Sequence, residues 1–509
     1  MRKRAVIVVL ALAFGAAVYA ADDEHRSHPP PEKLGTVTFP TSCTRALQPA
    51  FERALALLHS FAYSASEDAF RDVATRDPGC AIAHWGIAMS HFHQLWEPPS
   101  GPDLREGAAQ VRKAVEIRAG SPRERQFIDA LDAYFSGAGQ DPHGVRAERY
   151  ARAMAEVARS NPSDPEAQIF YALALIATAP STDKAHTNQK QAAQILEPLF
   201  RERPQHPGLA HYLIHAYDSA ELAPQGLAAA RAYSKIAPSA PHALHMPSHI
   251  FTRLGLWDDS IASNLAARAA AHQQGDVGEE LHAMDYLTYA YLQRGRDQEA
   301  ARVVAELGAM KDLPAPQFKI GYAATAMPVR LAIERRAWDS AASVEPLPQS
   351  AAHVAALVYW ARAVGQARAG HPRSADAEID RLQACLREVQ AAGNSYWATQ
   401  TDALLKEAQA WRLVADREAE AAILGLRMAA DEEDAVEKLP VTPGPVVPAR
   451  EQLGELLLAL QRPDAALHEF RSALTLAPGR RGALLGAIAA AEQLGDTETA
   501  TQFRVELGR

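Results

Sequence analysis

A chain of 509 residues is far longer than one compact core needs, so it must hold several domains or a repeat array. Its 48% hydrophobic and 22% charged content is that of a folded protein and excludes a disordered or fibrous chain. The net charge of −9 becomes −12 once the basic start described next is removed, and a chain this acidic is a poor match for nucleic acid.

Residues 1–20 read as a signal peptide. Arg2, Lys3 and Arg4 are followed by an apolar run from Ala5 to Ala17, and Val18 and Ala20 suit a peptidase site. A membrane anchor fits less well, because the run is short for a bilayer and Asp22, Asp23 and Glu24 follow at once. No later stretch is apolar enough to span. The expectation is a periplasmic or secreted protein with no membrane span after cleavage. Residues 21–45 form a polar lead whose one run of alternating β-branched residues is Gly35 to Phe39 (GTVTF). In an oxidising compartment Cys43 and Cys80 could pair and pin this lead onto the array; the alternative is two buried thiols. Cys385, in RLQACLREV, reads as a core residue.

From residue 46 the pattern is one of amphipathic helix pairs. Residues 46–79, 82–95, 205–238, 239–275, 279–307, 326–345 and 353–390 are loose versions. Residues 447–480 give the clearest unit, with Leu453 and Gly454 at the helix crossing, Ala466, Phe470 and Ala473 as a small–large–small series, and Pro478 at the exit. This is the tetratricopeptide (TPR) pattern. A further unit carries Leu494, Gly495 and Ala500. Proline-rich breaks at 98–102, 313–316, 345–348 and 439–448 are too short for linkers and are expected to mark bends. The predicted fold is all-α, a TPR-like superhelix of antiparallel hairpins. An N-terminal array, 46–345, carries histidine-rich inner helices, and a C-terminal array spans 346–509.

The chemistry concentrates in the middle. His211 and His215, and His245 and His249, are each spaced i, i+4, so both rings of a pair share a helix face. The pairs are offset by 34 residues, the TPR period, which makes them lateral neighbours. Three polar stripes follow: His211, His215, Asp218; His242, His245, His249; and His282, Asp285, Tyr289. Pro247 either kinks the second inner helix or begins it, leaving His242 and His245 in a loop. Three readings stand. A transition metal (Zn, Fe or Cu) could sit on His211, His215, His245, His249 and His282, with Asp218, Asp285 or Glu221 completing the shell or orienting a ring. A concave groove could use Tyr212, His242, Tyr286 and Tyr289 to hold a protein, a peptide or a small polar ligand. The histidines could also simply bond to one another and brace the hairpins. The sequence favours the scaffold, with a metal-binding protein or metal-dependent enzyme as the alternative. Whether the chain is an enzyme is left open, since it has no HExxH, nucleophile elbow, P-loop, dinucleotide fingerprint or CxxC. His84, His91 and His93 read as packing, and His186, His206 and His272 as isolated.

The runs TFPTSC, DPGCAIAHWGIAMS, HPGLAHYLIHAYD, HALHMPSHIF and EKLPVTPGPVVPARE resemble those of a large group of exported bacterial TPR-repeat proteins, over nearly the whole chain after residue 20. The resemblance implies the TPR fold and export; the group has no assigned reaction to carry over. It also implies histidine where this chain has Leu439, so residues around that position are given no site role.

Overall fold

The computed structural model describes residues 32–95 and 99–508; the segment read as a signal peptide and the lead up to residue 31 lie outside them. Lys33–Arg509 forms one compact unit. Among the described residues every regular element is a helix and there is no strand. No described helix is long and apolar enough to cross a membrane.

The repeat chemistry is visible in individual contacts. Helix Pro463–Leu476 begins on Pro463, whose fixed φ and missing N–H suit a first turn. Its Phe470 is buried between Gly454 of helix Ala449–Ala459 and Gly486 of helix Arg481–Leu494. A Cβ on these glycines would lie 2.7 Å and 2.2 Å from the phenyl ring, so only glycine lets the three helices close on it. The same device recurs near the other end of the array, where a Cβ on Gly86 would meet the Phe70 ring at 2.5 Å. Burial of one such ring is worth roughly 1.5–3 kcal/mol.

Successive helices pack as antiparallel hairpins, and alternate helices also touch, as in Val277–Gln293 with Phe318–Glu334 and Ala352–Arg368 with Ser395–Ala415. The result is an all-α, TPR-like solenoid. It winds tightly: helix Gln48–His59 reaches Pro207–Ala216, and Val277–Gln293 reaches Arg481–Leu494. Inner helices distant in sequence therefore face one another.

Three local features differ from the expectations. The Gly35–Phe39 run pairs with no strand; it lies along two helix ends, with Thr36 N–H donating to the Gln205 carbonyl at 2.8 Å and Ser239 N–H to the Lys33 carbonyl at 3.2 Å. Gly35 sits at φ +84°, where a Cβ would lie 2.6 Å from the Gln205 oxygen. Pro247 starts helix Pro247–Arg253, yet His242 and His245 lie in the short helix Pro241–His245 and not in a loop, because Met246 keeps helical angles between the two. The last proline-rich break is no bend. Pro440, Pro443, Pro445 and Pro448 keep residues 436–448 out of helix, and the segment crosses the inner side of the solenoid as a strap. It is tied at both ends and in the middle: Glu437 N–H donates to the Ser181 carbonyl (2.8 Å), Tyr286 OH to the carbonyls of Pro440 and Thr442 (3.2 Å each), and buried Arg330 to those of Gly444 (2.9 Å) and Pro445 (3.0 Å). Cys43 and Cys80 are joined as a disulfide with Cα atoms 4.9 Å apart.

Candidate metal centre

Helices Pro207–Ala216, Pro241–His245, Pro247–Arg253 and Val277–Gln293 bring six buried imidazoles together in two sets. The first is His211, His215 and His242; the second is His245, His249 and His282. Within each set the nearest ring nitrogens all lie within 4.8 Å of one another. The sets adjoin, with ring centroids 6.0 Å apart for His215 and His249 and 6.2 Å for His242 and His245.

The outward-facing nitrogens fix the tautomers. His211 Nδ1 is 2.6 Å from the His59 carbonyl oxygen, which can only accept, so Nδ1 carries the hydrogen. His242 Nδ1 donates to Glu279 Oε2 at 3.2 Å. Burial opposes ionisation of Glu279, but Lys319 and then His242 outweigh it and hold the carboxyl well below its usual range. In a neutral ring the second nitrogen is then a bare acceptor. His211 Nε2 and His242 Nε2 face each other at 3.1 Å, and His215 Nε2 is 3.0 Å from the same His211 atom.

The second set repeats the arrangement. His245 Nδ1 donates to Asn264 Oδ1 at 2.6 Å, and the amide is oriented by its own NH₂, which donates to the Ser260 carbonyl at 2.8 Å. His249 Nδ1 donates to Asp218 Oδ2 at 2.9 Å. Asp218 stays ionised because Lys438 and Arg253 outweigh the cost of its burial. The two Nε2 atoms meet at 3.0 Å, with the His282 ring 4.3 Å from His245 between centroids. Tyr286 packs edge-on to His245 and stacks on His249, at 4.7 and 5.1 Å.

Two acceptor lone pairs 3 Å apart repel unless a cation lies between them. A proton is one choice, but burial pushes His211, His215, His245 and His282 well below the ordinary imidazole value. Burial also carries His249 down to about 4, against the pull of Asp218. A metal ion is the other choice. Nitrogens bound tetrahedrally at about 2.0–2.1 Å stand roughly 3.3 Å apart, close to the separations seen.

The sequence-predicted residues divide accordingly. His211, His215, His245, His249 and His282 converge, and His242 joins them rather than lining a groove. Asp218 orients a ring. Asp285 does neither: its Oδ1 accepts from Arg330 at 2.9 Å, outside both sets. Glu221 pairs with Lys190 on the surface. Tyr212 and Tyr286 are buried among the histidines, so they offer no open groove face. Tyr289 borders a cavity further along.

His206 is not isolated. Its Nε2 and that of His59 bind the two oxygens of buried Glu166 at 2.9 and 3.0 Å, and His59 Nδ1 pairs with Tyr212 OH at 3.0 Å. Here a carboxylate already answers both rings, so no lone pairs converge; the group instead sets the His59 carbonyl that orients His211. His59, Glu166, Asn264, Glu279 and Lys438 are the residues that sequence reasoning missed. Lys438 stood in a segment given no role, His59, Asn264 and Glu279 stood in repeat units read only for their helix pattern, and Glu166 stood in no unit that was singled out. In the structure the Lys438 Nζ lies 3.0 Å from Asp218 Oδ2, and Leu439 borders a cavity of about 240 Å³ that ends on His215 and Asp218.

No protein-family model matches the chain, and no curated protein matches it. Solved structures similar to it include the human IFIT1 dimer with PPP-AAAA (13% identity, TM-score 0.35, covering 84% of this chain and 90% of that one). Another is the TPR domain of P58(IPK) (12% identity, TM-score 0.23, covering 89% and 99%). Likenesses at this level carry no argument about the site.

Proposed function

We propose that the chain is a metal-binding protein whose two three-imidazole sets each hold a transition-metal ion. What carries this reading is the paired geometry: in each set two Nδ1–H groups are committed to oxygen acceptors while their Nε2 atoms meet at 3.0–3.1 Å. Imidazole donors suit zinc, copper, iron or nickel. The carboxylates of Asp218 and Glu279 behind the rings are the usual means of fixing a ligand's tautomer and raising its basicity. Three protein ligands leave a coordination position open, and the cavity ending on His215 gives a small exogenous ligand a way to the first set.

Hairpin solenoids commonly present their concave side to partner chains. In this one the strap occupies that side across the histidines, so a peptide groove finds less support there than a metal centre. Export to the periplasm or the exterior belongs to the proposal; the signal-like start and the Cys43–Cys80 bond support it.

Tag-free, chelator-treated protein titrated with Zn²⁺ or Cu²⁺ tests the reading. Two ions per chain and a rise in melting temperature are expected, both lost in a His211→Ala, His245→Ala double variant. An unchanged melting temperature and stoichiometry below one ion in the native chain would refute it.

A further inference from the structure

With divalent ions on the two sets, the charge around them does not balance. An imidazole that binds metal is neutral, so an ion on His211, His215 and His242 keeps its full positive charge. The carboxylates that touch the rings have none to spare. Asp218 is held between Arg253 at 2.9 Å and Lys438 at 3.0 Å, and Glu279 is paired with Lys319 at 2.5 Å. Tyr286 donates its phenol hydrogen to the strap, so it supplies no anion either. Buried charge without a counter-ion is costly.

The two sets differ in access. His215 is 6% exposed, whereas the other five residues are 0–2% exposed. In the second set Tyr286 covers the rings of His245 and His249. In the first, Phe61 packs on all three rings, with centroids between 4.4 and 5.8 Å away, yet His215 still borders the cavity of about 240 Å³. That volume is below the roughly 300 Å³ at which drug-sized pockets begin, so it admits a ligand of few atoms.

The cavity wall offers donors. Lys438 Nζ carries three N–H groups, of which Asp218 takes one among the described residues. His186, buried on the same wall, has a ring Nδ1 without a hydrogen-bond partner among the described residues. Gln94 and Gln189 add amides, which can turn either end to a ligand. The carboxylates of this wall are already answered: Asp218 by Arg253 and Lys438, and Glu437 by Lys184 (3.2 Å) and Arg253 (3.7 Å). Resting on the metal reading, we propose that the first set alone takes a small anion at its open coordination position, received there by Lys438.

The test is azide titration of the tag-free, disulfide-bonded protein loaded with Cu²⁺, with copper counted by elemental analysis on the same samples. Azide on copper gives a charge-transfer absorption that free azide lacks. One azide per chain is expected, although two ions are bound. His245→Ala, with copper left only in the first set, should keep the band; His211→Ala, with copper left only in the second, should lose it. Lys438→Gln should weaken azide about tenfold, the effect of one lost hydrogen bond from a charged donor. A role for Lys438 through Asp218 alone would lower copper at the second set and leave azide unchanged. Circular dichroism checks that each variant is folded. Two coppers with no azide band, two azides per chain, a band kept by His211→Ala, or unchanged azide affinity in Lys438→Gln overturns the proposal. A chain that binds no copper refutes the metal reading and this proposal together.

Discussion

Gly208 shows how closely the site is built. A Cβ there would lie 2.5 Å from His59 Nδ1, so alanine must push the His59 ring off Glu166 and Tyr212. Overpacking of this kind costs about 1–3 kcal/mol. Gly208→Ala should lower the unfolding free energy by that amount, and should weaken metal at the first set by moving the carbonyl that orients His211. At the second set, Asp218→Asn removes the charge behind His249 while preserving shape. A loss of ~10–100-fold in metal affinity is expected by direct titration; unchanged affinity would mean that the carboxylate serves only Lys438 and Arg253. These partners could not be read from the chain. The i, i+4 spacing places two rings on a face, but which nitrogen points inward depends on Asn264, Glu279 and the His59 carbonyl, all supplied by other helices.

Among the elements, the strap explains where a motif was misjudged. Its four prolines were readable as a break in helix, and the loss of backbone donors is a local property. Its path is not local, because it follows from Arg330, Tyr286 and Tyr396 offering hydrogen bonds across the inner side. Replacing Arg330 with leucine leaves Asp285 buried without its partner; breaking such a pair costs about 3–5 kcal/mol. A matching fall in chemical-denaturation free energy, with faster proteolysis within residues 436–448, is the expected outcome. The lead is held differently. The disulfide closes a loop with a sequence separation of 37, worth about 4 kcal/mol in the unfolded chain. A Cys43→Ser, Cys80→Ser variant should unfold more easily by up to that amount, read by urea melts.

For the whole molecule, the fold was the most legible part. Gly454 with Phe470 and the 34-residue offset between histidine pairs are periodic features, and periodicity survives in a linear sequence. The grouping of the histidines was less so. An ideal ladder pairs His211 with His245, whereas the close contact is His211 with His242, at 4.9 Å between centroids. The break at Met246 and the tight winding shift the register. The same burial sets the pH response. His143 and His353 are pushed down to about 4, chiefly by burial, while the unfolded chain protonates its histidines near 6.5. Between these values the unfolded chain holds more protons, so stability is full above pH 6.5 and is lost as pH falls toward 4. Glu433, raised to about 7 mainly by burial, acts in the opposite sense between its unfolded value of 4.5 and pH 7. Burial also raises Glu407, Glu334 and Asp285, but the histidines it lowers outnumber these carboxyls, so the metal-free protein should melt at lower temperature at pH 4.5 than at pH 7. A higher melting temperature in acid would contradict this balance.

The central claim is that imidazole nitrogens, oriented from behind, converge on metal. Metal-edge X-ray absorption on the loaded, tag-free protein reads it directly. The prediction is a nitrogen shell near about 2.0 Å with the outer scattering of three imidazoles per ion. An oxygen-dominated shell without imidazole scattering, or a protein that retains no ion after gel filtration, would contradict it.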